Sequence, residues 1–115
     1  MNNIEQLDVN LLEGYLESLG RDIVEQILDL YIKQSVTYID DIADSLEQKS
    51  QELWKERCHK MKGATGSVGM IAAHAKLVEI EKISGQWTQK VTHMSELVEV
   101  NKKAIDAFKT WLASK

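Results

Sequence analysis

Apolar residues recur every three or four positions along most of this chain, and that period belongs to helices. From about Asp22 they fall at Ile23, Ile27, Leu30, Tyr31, Tyr38, Ile42 and Leu46, with Val36, Ile39 and Ala43 widening the stripe. No stretch alternates as a strand does over a useful length, and no internal repeat or low-complexity tract interrupts the pattern. Proline, which breaks helices by removing a donor and clashing with the preceding turn, is absent.

The punctuation divides this pattern into five helices. Asp8 is placed to cap a short first helix holding Leu11, Leu12, Tyr15, Leu16 and Leu19, and Gly20 stops it. The long helix from Asp22 ends at the Lys49-Ser50 break. Ser50 is the candidate cap of a third helix, with Glu52 in its first turn and a predicted span of about 51–68. Gly69 marks a tight reversal. A fourth helix carries Ile71, Ala73, Leu77, Ile80 and Ile83 and ends at Gly85, and the segment from Gln86 to about Lys90, with Trp87 in it, reads as a loop. The last helix uses Val91, Met94, Leu97, Val98, Ile105, Phe108, Trp111 and Leu112; Asn101 interrupts that stripe without a reason visible in the sequence.

Helices joined by short loops pack antiparallel. The predicted fold is therefore all-α: an antiparallel up-down four-helix bundle, with the short additional N-terminal helix covering one end. A chain of 115 residues has room for one domain, residues 1–115, and no second. A net charge of −4 supplies no basic field for nucleic acid. No apolar run is long enough for a membrane span, and the start, Met1-Asn2-Asn3-Ile4-Glu5, lacks the basic and apolar regions of a signal peptide. The single cysteine, Cys58, allows no internal disulfide, as expected in the cytoplasm, and reads as a small buried residue.

One stretch breaks the rules of the helix that contains it. Cys58-His59-Lys60-Met61-Lys62-Gly63-Ala64-Thr65-Gly66-Ser67-Val68-Gly69 holds three glycines in seven residues. Each glycine inside a helix costs about 1 kcal/mol relative to alanine. With His59 at zero on a helical wheel, Gly63 falls near about +40°, Gly66 near about −20° and Lys62 near about −60°. Trp54, Cys58, Met61, Thr65 and Val68 share an arc centred roughly 140° away, which is the buried stripe. His59 is thus predicted to face water, beside bare backbone and one turn from an ammonium group. A lone histidine in a helix is usually without a role. That reading leaves Gly63, Gly66 and Lys62 on the same face unexplained, whereas a phosphoryl carrier needs all of them: a neutral nucleophilic nitrogen, a cation for the phosphoryl oxygens, and a surface that a partner can approach.

The pattern His-x-x-Lys-Gly, followed by small residues and a second glycine, resembles the histidine-containing phosphotransfer (HPt) family of multistep phosphorelays. The likeness is greatest to the HPt domains that end hybrid sensor kinases of aerobic respiration control. It runs from about Leu7 to Ala113 and includes Leu12-Glu13-Gly14-Tyr15-Leu16-Glu17. The resemblance implies that His59 carries the phosphoryl group on Nε2 and that Lys62 stabilises its charge. Lys60, Gly63, Gly66 and Ser67 then belong to the docking surface. It implies response-regulator receiver domains and a hybrid sensor kinase as partners, with Mg²⁺ supplied by the receiver and no cofactor of the chain's own. The expected state is a monomer in the cytoplasm, free or as the C-terminal domain of a membrane-bound sensor. Many family members place glutamine near the phosphohistidine, from the adjacent helix. Ungapped alignment puts Glu81 there, where a carboxylate facing the site would repel phosphate. Either Glu81 turns away, or Lys62 pairs with it, or the alignment slips.

The sequence offers no Walker loop, no Gly-rich nucleotide loop after a strand and no convincing pair of Mg²⁺ carboxylates, so ATP chemistry is not expected. His74 and His93 lack a following Lys-Gly and match no zinc spacing, and both read as surface residues. Two other functions compete. A helical adaptor or inhibitor would dock on a kinase or receiver without chemistry, and would have no need of His59, Lys62 and Gly63. A helix-turn-helix regulator would present Glu79 and Glu81 to DNA phosphates, which disfavours it.

Overall fold

The computed structural model describes residues 6–115; residues 1–5, which include the start read above for a signal peptide, lie outside the described residues. Five helices follow in order: α1 Val9–Leu19, α2 Arg21–Glu47, α3 Gln51–Ser67, α4 Ile71–Glu81 and α5 Trp87–Ala113. No strand occurs among the described residues. Helices α2 to α5 pack in a ring, each on its sequence neighbour and α5 back on α2, giving the four-helix bundle, while α1 rests on α2. None of these helices is long and apolar enough to cross a membrane.

The local chemistry of the helix ends does what the sequence predicts. The Asp8 carboxylate accepts the Leu11 N–H at 3.1 Å, and the Ser50 hydroxyl accepts the Leu53 N–H at 3.2 Å. Gly20 adopts φ +87° between α1 and α2, and Gly69 adopts φ +74° in the reversal between α3 and α4. At Gly69 space is short as well: a Cβ there would sit 3.3 Å from the Leu12 side chain. The Asp8 N–H donates to the Gly69 carbonyl at 2.8 Å, and the Tyr15 hydroxyl donates to the Ser67 carbonyl at 2.9 Å. Together these bonds hold α1 across the end of the bundle.

The buried stripes differ from the predicted ones in phase. On α2 the buried residues are Val24, Leu28, Tyr31, Ser35, Ile42 and Ser45, whereas Ile23, Leu30 and Val36 are exposed. The polar members explain the mismatch. Ser35 and Ser45 donate their hydroxyls to the Ile32 and Ile42 carbonyls, so they enter the core without an unpaired group. Ile71, Val91 and Val98 are likewise exposed rather than buried.

On α5 the buried positions Lys90, Met94, Leu97, Asn101, Ala104, Phe108 and Trp111 follow each other at alternating spacings of four and three. Asn101, unexplained in the sequence, accepts a hydrogen bond from the buried Tyr31 hydroxyl at 2.6 Å and ties α5 to α2. The loop expected from Gln86 to Lys90 lies earlier in the chain, at residues 82–86, because α4 ends at Glu81, short of the predicted Gly85, and α5 begins at Trp87. Lys90 is fully buried. Its Nζ lies 4.0 Å from the Trp87 ring centroid and 4.9 Å from that of Trp54, and donates to Gln51 Oε1 at 2.6 Å. A polar run in the sequence thus conceals a helical turn whose lysine is stacked between indoles.

Candidate functional site

Helix α3 is clamped to α4 by its buried stripe, Trp54, Cys58, Met61 and Thr65. The Trp54 indole donates to the Ile80 carbonyl at 2.9 Å, and the Gln51 amide donates to the Ile83 carbonyl at 3.1 Å. These bonds fix the last turn of α4 against the first turns of α3. They bring Glu81 within hydrogen-bonding reach of His59 and Lys62.

The His59 side chain is 72% exposed, while that of Glu81 beneath it is only 12% exposed. His59 Nδ1 lies 3.2 Å from Glu81 Oε1, and Lys62 Nζ donates to Glu81 Oε2 at 2.8 Å. Burial opposes ionisation of Glu81, but the hydrogen bond and charge of Lys62, followed by those of His59, outweigh it. The carboxyl consequently sits below its ordinary value of 4.5. An ionised carboxylate only accepts, so in this pair Nδ1 carries the proton and donates it. In a neutral ring the lone pair then belongs to Nε2, on the far side from Glu81.

The bare-backbone reading holds for one glycine and needs refinement for the other. A side chain at Gly63 would meet no atom within 4 Å of its Cβ, so the backbone beside His59 is open. Gly66 is exposed, yet a Cβ there would touch the His74 ring at 3.4 Å. Lys60 is exposed, with Nζ 6.0 Å from the Tyr38 ring centroid. Ser67 is exposed, and its hydroxyl donates to the Ala64 carbonyl of its own helix at 3.0 Å.

A profile of the family described as the Hpt domain matches residues 26–111. The chain belongs to the Hpt domain family. It is similar to the aerobic respiration control sensor protein ArcB of Escherichia coli K12 and of Shigella flexneri, 28% identical over 109 residues in each case. That match covers 93% of this chain but only 14% of the relatives' length. Among solved structures it resembles the histidine-containing phosphotransfer domain of ArcB from Escherichia coli, with a TM-score of 0.81 and 27% identity, over 95% of this chain and 94% of that one.

Within this Hpt domain the pairing of Glu81 resolves the three alternatives left by the sequence: Lys62 pairs with it, and His59 does too. Sequence reasoning missed Lys55, which lines a shallow open depression with Glu52, Glu56, His59 and Glu81. Its position one turn before His59 was the available signal. The other imidazoles lie elsewhere. His74 packs beside Gly66, and His93 accepts from Lys76, whose ammonium also donates to Glu79 and Glu96 at 3.0 and 2.6 Å. Cys58 is fully buried, and burial followed by the charge of Glu81 pushes its thiol up to about 12, so it is no nucleophile. Among the described residues no group of three His, Cys, Asp or Glu side chains is arranged to hold a metal.

Proposed function

We propose that this Hpt domain is a phosphorelay intermediate, accepting a phosphoryl group on His59 from a phospho-aspartyl receiver domain and passing it to another receiver. The observation that carries the reading is the placement of His59, a side chain 72% exposed whose Nδ1 is paired with Glu81, one helical turn from the open backbone of Gly63. In the transfer the Nε2 lone pair forms the N–P bond while the P–O bond to the aspartyl carboxylate breaks, and the carboxylate leaves with the electron pair. Such a reaction needs alignment and charge neutralisation more than covalent help. Lys62 is the cation nearest the imidazole's own partner, while Lys60 and Lys55 add positive charge to the approach.

In this reading the domain is a carrier, with no kinase activity of its own and no resident cofactor. The receiver brings the acyl phosphate and the Mg²⁺. The partners are response-regulator receivers and a hybrid sensor kinase, met by a monomer on the cytoplasmic side of the membrane. Labelling from a receiver charged with acetyl phosphate tests it. Wild type should gain an acid-labile, base-stable label, and His59→Gln should gain none while keeping its helicity. Undiminished label on His59→Gln would sink the assignment. Incubation with labelled ATP and Mg²⁺ alone should leave the domain unlabelled.

A further inference from the structure

We infer that Glu81 is a positioning residue that makes His59 a ready donor: by neutralising Lys62 before phosphate arrives, it lowers the stability of the phosphorylated state and biases the carrier toward discharge. The inference rests on the phosphorelay reading above and deepens it.

The argument is one of charge at fixed sites. Lys62 Nζ is committed to Glu81 Oε2 at 2.8 Å, and Glu81 Oε1 holds Nδ1–H of His59 at 3.2 Å. With a neutral imidazole, the His59–Lys62–Glu81 trio has zero net charge. Transfer delivers a PO₃⁻ unit to Nε2 and leaves the Nδ1 proton on its hydrogen bond, so the trio ends with a net charge of −1. Were residue 81 a glutamine, the same trio would begin at +1 and end neutral. The carboxylate also competes directly with the phosphoryl oxygens for Lys62, whose ammonium must loosen its grip on Glu81 to reach them. Other charges near the ring do not offset this. Glu52 and Glu56 add negative charge along α3, Lys55 adds a positive one in the same depression, and Lys82 borders the adjoining depression with Glu81. Glu81 is mostly covered, so its field is less screened by water than theirs.

The geometry assigns Glu81 two effects that a neutral amide would separate. A glutamine can keep a hydrogen bond to Nδ1–H, so His59 would stay oriented, but it cannot neutralise Lys62. Glu81→Gln is thus the informative variant, and it is nearly isosteric. At equilibrium with a receiver charged by acetyl phosphate in Mg²⁺, Glu81→Gln should raise the ratio of phosphohistidine to phosphoaspartate on the order of tenfold over wild type at low salt. The gap should shrink as salt rises. Phosphoramidate, which loads histidine without a partner domain, should give the same displacement, which separates the effect from docking. A purely structural role for Glu81 would alter the thermal melt and leave the transfer ratio unmoved. An equal ratio in wild type and Glu81→Gln, with wild type accepting phosphate, overturns this inference and leaves the phosphorelay reading standing. Wild type taking no phosphate from either donor overturns both.

Discussion

At the scale of single residues, the site is a compromise between helix stability and access. Gly63 weakens α3 and faces open space, so its justification lies outside the folded chain. Gly63→Gln should melt no lower than wild type, and up to about 1 kcal/mol higher in stability, yet accept phosphate far more slowly because its side chain stands where a receiver must approach. A thermal melt and a transfer time course on one sample check both halves; transfer at the wild-type rate would show that the open backbone is not an approach surface. Glu81 gives the site its pH dependence. Its folded value lies below the ordinary 4.5, so protons bind the unfolded chain more readily there. The stability it contributes is full above about pH 4.5 and is lost as pH falls through the lowered folded value. Denaturant melts from neutral to acid pH should therefore show wild type losing more stability than Glu81→Gln, with the two curves converging at the acid end.

Between elements, polar groups set the alignment of the helices. Tyr31 and Asn101 are both buried and bonded at 2.6 Å, which fixes how far α5 slides along α2. Asn101→Leu leaves the Tyr31 hydroxyl without its partner and should cost about 1–3 kcal/mol. Adding Tyr31→Phe removes the stranded hydroxyl and should recover much of that loss, a coupling that urea titrations of the two single variants and the double variant would measure. Lys90 presents a different balance. Its side chain is fully buried, its ammonium meets Gln51 and the Trp54 and Trp87 rings without a carboxylate among these contacts, and burial lowers its pKa. Lys90→Met keeps the volume and should stay within about 1 kcal/mol of wild type, whereas Lys90→Ala opens a cavity and should cost about 2–4 kcal/mol. If the methionine variant proves as unstable as the alanine one, the ammonium matters more than the stem.

Across the whole molecule the core falls into two parts. One gathers Leu7, Leu12, Val24, Leu28, Met70, Phe108, Trp111 and their neighbours under α1. The other joins Ile42, Trp54, Cys58, Met61, Leu77, Ile80, Met94 and Leu97 behind His59 and Glu81. The site is built on the second part, so damage to the first should weaken the fold without reshaping the site. Leu12→Ala should cost about 2–5 kcal/mol by urea unfolding. At a temperature where it remains folded, it should still accept phosphate at the wild-type rate. A slowed transfer in the folded variant would mean that α1 communicates with α3, through the Asp8–Gly69 and Tyr15–Ser67 bonds.

What the sequence by itself determined is what one helix turn or one cap can encode. Asp8, Gly20, Ser50 and Gly69 act on backbone groups within a few residues, and the structure uses each at the expected place. His59, Lys62 and Gly63 share a face of α3 because the helical period puts them there, whatever packs behind. The exposure of Ile23, Leu30 and Val36 was not legible, because residue type names an apolar side chain without saying which side of a helix meets its neighbours. Ser35, Ser45, Lys90 and Asn101 are polar by type and buried in fact: the two serines bond carbonyls three residues back on their own helix, whereas Lys90 and Asn101 have partners on other helices that only the fold identifies. Only the tertiary structure decided that Glu81 reaches both His59 and Lys62. Those residues lie on different helices, and their spacing depends on how Trp54 and Gln51 hold the end of α4, a relation set by packing between elements rather than by the period of either one.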